Sequence, residues 1–373
     1  MSRGGWRLVG IAPLLAWLAL IGLSEAASAA EAPVTVTVPI DGLRLDQVQL
    51  LGSHNSYRPV PTAQVRRRLQ LHDAAEWPAL TYGHPSLQAQ LALGLRQLEL
   101  DVAADPHGGL YAAPYARADA ATRARMHAPG AKVLHQPGLD YASHCLRFRD
   151  CLAILAAWSR AHPRHAPLVV LVNAVDFDPV PGLWPHRSAF EAHDLDALDR
   201  DIVEVVGRAR LIVPDDVRGD APTLREAVLA HAWPRVAQAR GRFLFVLDGN
   251  PRHEALYRQE HPSLHGRMMF GWYAQDQPEA AVLSIEDPLA AAPRIRALVA
   301  QGFVVRPRAD ADGREARAHD RRRAQAALDA GAQWISTDYY AGAPDSQRLG
   351  YWLGIATGLR CDRVTADCGA VSP

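Results

Sequence analysis

Six short apolar runs, at residues 49–52, 95–102, 168–172, 243–247, 303–305 and 334–336, punctuate the chain, with helical patterns between them. In each run the apolar residues are contiguous instead of strictly alternating, which is what a strand covered on both faces requires. Residues 86–93, 151–161 and 194–209 carry apolar side chains at helical spacing, and Thr223 stands as N-cap to a helix over 224–232. Residues 314–330 read as one charged amphipathic helix stopped by Gly331. Strand–helix alternation without a linker-like tract, internal repeat or low-complexity segment favours a single α/β barrel over two domains.

A barrel of this kind gathers the C-terminal ends of its strands on one rim, so the residues that end the runs meet in space. Those residues are polar. Ser53, His54 and Asn55 follow the first run, Glu99 and Asp101 close the second, and Asn173 and Asp176 follow the third. Asp248 and Asn250 follow the fourth and line the rim, Arg306 and Arg308 follow the fifth, and Thr337, Asp338 and Tyr339 the last. An acid, amide, His or Arg at every strand end is the signature of a reaction site.

Composition narrows the classes. Among 373 residues, 40 Lys+Arg balance 40 Asp+Glu, which argues against a nucleic-acid partner. Lys132 is the sole lysine, a compositional bias that carries no functional weight. Arg3 and Arg7, an apolar stretch over 8–23 and small residues over 26–30 read as an export signal at 1–30. Residues 31–373 are then a secreted or periplasmic domain; an uncleaved anchor is the alternative. Cys145 with Cys151, and Cys361 with Cys368, form two local pairs, as two disulfides in an exported chain would. A zinc site is the alternative, but the pairs lie far apart and lack C-x-x-C spacing.

Glu99 and Asp101 flank Leu100 on a strand, so both carboxylates point to one side and repel unless a cation or an arginine stands between them. With Asn55 and a group from the third strand they make an all-oxygen set suited to Ca²⁺ or Mg²⁺. His54 precedes Asn55 at a strand end, and His135 stands before the turn-forming Gln136-Pro137-Gly138. In a chain with 16 histidines, packing is the bland reading of either. Two imidazoles beside a cation are what phosphodiester cleavage calls for: a proton acceptor, a proton donor and positive charge over the phosphoryl oxygens.

Gly52-Ser53-His54-Asn55-Ser56-Tyr57, followed by Arg96-Gln97-Leu98-Glu99-Leu100-Asp101-Val102, resembles the X domain of calcium-dependent phosphoinositide-specific phospholipases C. Tyr82-Gly83-His84-Pro85, His135-Gln136-Pro137-Gly138-Leu139-Asp140 and the stretch from Arg306-Pro307-Arg308 to Thr337-Asp338-Tyr339-Tyr340 resemble its secreted bacterial branch, known from actinomycetes. The resemblance implies a distorted (β/α)₈ barrel. It implies attack of an inositol 2-hydroxyl on phosphorus, releasing diacylglycerol and inositol 1,2-cyclic phosphate. It further implies catalytic roles for His54 and His135, and Ca²⁺ held by Asn55, Glu99, Asp101 and the residue at Asn173. That last position departs from the family, which carries a Glu there and a Lys where this chain has Val175.

Arg306 and Arg308 alternate on one strand face and are expected to touch inositol or phosphate; ion pairs to Asp310 or Asp338 are the alternative. Tyr339 or Tyr340 is expected to stack on the sugar ring, with packing in the barrel wall as the alternative. The expected partner is a phosphoinositide at a membrane surface, with no obligate protein partner. Two other readings stand beside this one: a glycerophosphodiester phosphodiesterase, whose His-Arg-Gly and Glu-Asn-Thr signatures are missing, and a catalytically weakened inositol-phosphate-binding barrel.

Overall fold

The computed structural model describes residues 39–72, 74–75, 77–354 and 358–368, all within one unit of the chain. The expected export signal lies outside the described residues, and among them no helix is long and apolar enough to cross a membrane. In chain order the strands are β1 (Val48–Ser53), β2 (Gln97–Ala103), β3 (Lys132–Val133), β4 (Leu168–Ala174), β5 (Phe243–Asp248), β6 (Met269–Gly271), β7 (Val282–Ser284), β8 (Val304–Arg306), β9 (Trp334–Thr337) and β10 (Arg360–Cys361).

Parallel pairing runs from β9 through β1, β2, β4 and β5 to β6, and β7 pairs in parallel with β8. Single parallel bridges, Trp272–Val282 and Arg308–Ser336, join β6 to β7 and β8 to β9, so eight strands make a ring. Those two thin seams are the distortion. β3 and β10 add antiparallel to β2 and β1. All six expected runs are strands. β6 and β7 were not among those runs.

Alternation along the strands separates two chemistries. Leu98 and Leu100 of β2, Val170 and Val172 of β4, and Phe245 and Leu247 of β5 are fully buried in the main core. They share it with Leu152 and Leu155 of the helix Phe148–Ala161 and with Leu195, Leu198 and Ile202 of the helix Ala192–Val206. Each such side chain contributes about 1.5–3 kcal/mol by burial. The intervening residues Gln97, Glu99 and Asp101 take the other face. Gly52 sits level with Gln97, and a Cβ there would collide with the Gln97 side chain, so β1 and β2 approach only through glycine.

The expected helix over 314–330 is two helices, Arg314–Ala318 and Arg322–Asp329. His319 turns the chain at φ 50°, and Asp320 accepts from the Arg322 backbone N–H at 2.9 Å. That local carboxylate–backbone bond competes with helix continuation. Both disulfides form, Cys145–Cys151 and Cys361–Cys368, as the paired spacing implies.

Candidate active site

At the end of β1 the chain turns through Asn55, which is held at φ 46°. A non-glycine residue in the left-handed region needs outside support, and the segment Tyr82-Gly83-His84 supplies it. The buried His84 places Nε2 2.7 Å from the His54 carbonyl, donating to it, and Nδ1 3.1 Å from the Tyr340 hydroxyl. The backbone of Val60 passes so close to Gly83 that a Cβ would clash with it, so only glycine lets this clamp seat. The Tyr82-Gly83-His84 stretch stood out in the sequence, yet no role could be read for it, because its partners lie at Val60, His54 and Tyr340.

His54 Nδ1 lies 3.1 Å from Asp338 Oδ1, and Asp338 Oδ2 accepts from Arg308 at 2.9 Å. Burial alone would raise the Asp338 pKa, but His54 and Arg308 hold its carboxyl well below the usual range. Burial, with Arg308 and Arg306 adding, lowers His54 from 6.5 to about 4 against the pull of Asp338. His54 is therefore neutral near pH 7, with its proton on Nδ1 toward Asp338 and a bare Nε2 that lies 3.7 Å from Glu99 Oε1.

Glu99 and Asp101 are each 3% exposed. Glu99 Oε2 takes an ion pair from Arg306 at 2.6 Å, and Arg306 reaches on to Glu286 at 2.5 Å. Burial, reinforced by the charges of Asp248 and Asp101, still pushes Glu99 up to about 8. Asp101 accepts from the Tyr57 hydroxyl at 2.7 Å and from Asn173 Nδ2 at 2.9 Å. The two arginines thus divide: Arg308 takes the ion pair to Asp338, while Arg306 pairs with neither Asp310 nor Asp338 but with Glu99.

The third arm arrives on β3. Leu134 donates to the Asp101 carbonyl at 3.3 Å, which sets His135 beside the end of β2. Gln136 and Asp140 then close a tight turn through paired backbone bonds of 2.8 and 2.9 Å, with Gly138 at φ 74°. Asp140 Oδ2 faces His135 Nδ1 at 3.1 Å and accepts from the fully buried Arg58 at 2.6 Å. Asp140→Ala would strand Arg58 without its counter-charge, so it should cost about 3–5 kcal/mol. A conservative Asp140→Asn, read by thermal melts, should cost less and still loosen His135.

Tyr339 does not enter this mouth. It is buried edge-to-face against Tyr351, 6.1 Å between centroids, in a cluster with Ala316. Consecutive residues of an extended chain face opposite ways, so with Asp338 turned to the site Tyr339 goes to the wall, and ring stacking on a sugar is not its place. Asp176 is also committed elsewhere, accepting from the Phe190 N–H and facing His253 Nε2, both at 2.9 Å.

The sequence model of the family described as phosphoinositide phospholipase C, Ca²⁺-dependent, matches residues 43–362. The chain belongs to that family. Members are phosphodiesterases, and the phospholipase C assignment brings a Ca²⁺ dependence with it. Among solved structures, a calcium-dependent phosphoinositol-specific phospholipase C from Pseudomonas sp. in its apo form superposes with a TM-score of 0.54 at 13% identity, covering 87% of this chain and 98% of that one. Its myoinositol complex gives 0.55 at 13% identity over 86% and 96%. A Ca²⁺-dependent phosphatidylinositol-specific phospholipase C from Streptomyces antibioticus gives 0.51 at 18% identity over 79% and 94%. At these identities the likeness is one of fold. No curated protein matches the sequence.

The phospholipase's own residues fit Ca²⁺. Asn55 turns its amide oxygen toward Asp101, 3.1 and 3.2 Å from the two carboxylate oxygens, while Nδ2 donates to Tyr82 at 2.8 Å. Three acceptors facing one another repel in a bare site, where rotating the amide would satisfy both ends. Unrotated, the amide oxygen and the Asp101 carboxylate make a donor set that a hard cation would share. Among the described residues no three His, Cys, Asp or Glu side chains form a ready-made cage, and the amide oxygen of Asn55 adds a donor to the carboxylates of Glu99 and Asp101.

Proposed function

We propose that this family member is an exported phosphodiesterase that cleaves phosphatidylinositol-type diesters to diacylglycerol and inositol 1,2-cyclic phosphate. The carrying observation is that two histidines, each oriented by its own buried carboxylate, flank the Glu99–Asp101 face. Ca²⁺, held by oxygens of Asn55, Glu99 and Asp101, would supply positive charge over the phosphoryl oxygens. His54, with Asp338 on Nδ1, accepts the proton of the attacking inositol hydroxyl at its bare Nε2. His135, backed by Asp140, donates a proton to the departing glycerol oxygen. Arg308 keeps Asp338 ionised, and Arg306 holds Glu99 in place. This assignment gives His54 the base role that sequence left open.

Export is supported by the N-terminal pattern and by two disulfides, which persist in oxidising compartments. The helix Ala63–His72 packs Val65 and Leu69 against Leu139 of the His135 turn, so it borders the mouth. Its outer surface shows Arg66, Arg67, Arg68 and an 81% exposed Leu71, a surface suited to anionic lipid.

Phosphorus NMR of phosphatidylinositol vesicles treated with the protein tests the reading. A cyclic phosphodiester resonance should appear with Ca²⁺ and vanish with chelator. Turnover of glycerophosphocholine instead would favour the glycerophosphodiesterase reading, and headgroup binding without turnover the weakened barrel.

A further inference from the structure

We propose that Asp248, one strand beyond Asn173, supplies to Ca²⁺ the carboxylate charge that Asn173 lacks. This rests on the calcium reading above and asks how the site retains enough negative charge.

Charge counting raises the question. Glu99 and Asp101 bring two negative charges, and Arg306 neutralises one of them. A net single charge is little to hold a dication, whose affinity is tuned by the number of charged ligands. Asn173 adds none, and its amide nitrogen, not its oxygen, faces Asp101. In this orientation it donates to Asp101 at 2.9 Å.

The sheet register points to the replacement. Asp101 pairs with Asn173, and Asn173 pairs with Asp248, so the three residues stand at one level on successive parallel strands. Neighbours at one level of a parallel sheet project from the same face, with strands ~4.8 Å apart. Asp248 therefore shares the face of Asn173 and Asp101, two strands from Asp101, and its charge acts on both Glu99 and Asp101, although the three carboxylates do not form a ready-made cage in the metal-free fold. Among the described residues no cation pairs with it at ion-pair distance; Arg306, the nearest in charge effect, is spent on Glu99 and Glu286. The Trp272 indole N–H stands beside it, buried and without a well-formed hydrogen bond. Asp176, the other acid near β4, is bound to His253 and Phe190 and is not available.

Titration calorimetry with CaCl₂ on the full chain tests this without reference to turnover. Asp248→Asn should weaken Ca²⁺ binding at least tenfold, Asp248→Glu should hold it within a few-fold, and Asn173→Glu should tighten it. Adding Asn173→Glu to Asp248→Asn should restore most of the loss, since the charge returns to the neighbouring strand. Unchanged affinity in Asp248→Asn overturns the inference while leaving the calcium reading intact; no Ca²⁺ binding by the unmodified protein overturns both. A second reading does not depend on how that variant folds. Tb³⁺ seated at Asp248 lies against Trp272, so sensitised emission should fall strongly in Trp272→Phe; undiminished emission overturns the placement.

Discussion

Alanine at His54 should lower kcat on a water-soluble inositol phosphodiester by about 10²–10⁴-fold, the range for loss of a positioned acid–base group. The expectation follows from geometry. Asp338 fixes the Nδ1–H tautomer, Glu99 faces Nε2, and His84 pins the His54 backbone from beneath. Ca²⁺ affinity should survive in His54→Ala, because the imidazole is not among the oxygen donors. Asp338→Asn should reproduce much of the kcat loss, since an amide can present its N–H to the ring and turn the tautomer over. Stopped assays with quantified cyclic product, beside Ca²⁺ titrations of the same proteins, give the measurement. A His54→Ala variant with kcat within tenfold of the parent would remove His54 from the chemistry.

Calcium affinity should climb steeply with pH between 6 and 8. In the metal-free protein burial, with Asp248 and Asp101, lifts Glu99 to about 8, so near neutrality it retains a proton that a dication must displace. Below that value each pH unit should cost up to about tenfold in apparent affinity, or about 1.4 kcal/mol. Calorimetry in two buffers of unlike ionisation enthalpy should reveal the released proton. Stability carries the same sign. A carboxyl raised above its unfolded value binds protons in the native state that the unfolded chain has lost, so metal-free stability falls as pH rises from about 4.5 to 8. Added Ca²⁺ should therefore raise Tm more at pH 8 than at pH 5. Affinity independent of pH over this range would mean that Glu99 is already ionised, with Arg306 outweighing the buried acids around it.

Sequence proposed candidates where chemistry is local. His54-Asn55 at a strand end, Glu99 and Asp101 two apart, and His135 before its turn are short-range patterns, and all of them meet at one mouth. It failed where a residue's task is set by a distant neighbour. Nothing near Asp338, Asp140 or His84 in the chain announces a histidine to be oriented, because the partners lie 284, 5 and 30 residues away, and even the close pair depends on a turn. Tyr339 was misplaced for a related reason: its face follows from Asp338, whose direction only the assembled rim reveals.

The chain by itself determined which segments become strands, because contiguous apolar runs can be buried only between two covering layers, and it determined the inventory of acids, amides and imidazoles at their ends. The folded molecule decided who pairs with whom. Arg306 on Glu99, Arg308 on Asp338, and Asp248 level with Asn173 are choices among many oppositely charged or equivalent residues that composition treats alike. Coulomb and hydrogen-bond energies depend on separations of a few ångströms, and those separations exist only once eight strands have closed in a definite register.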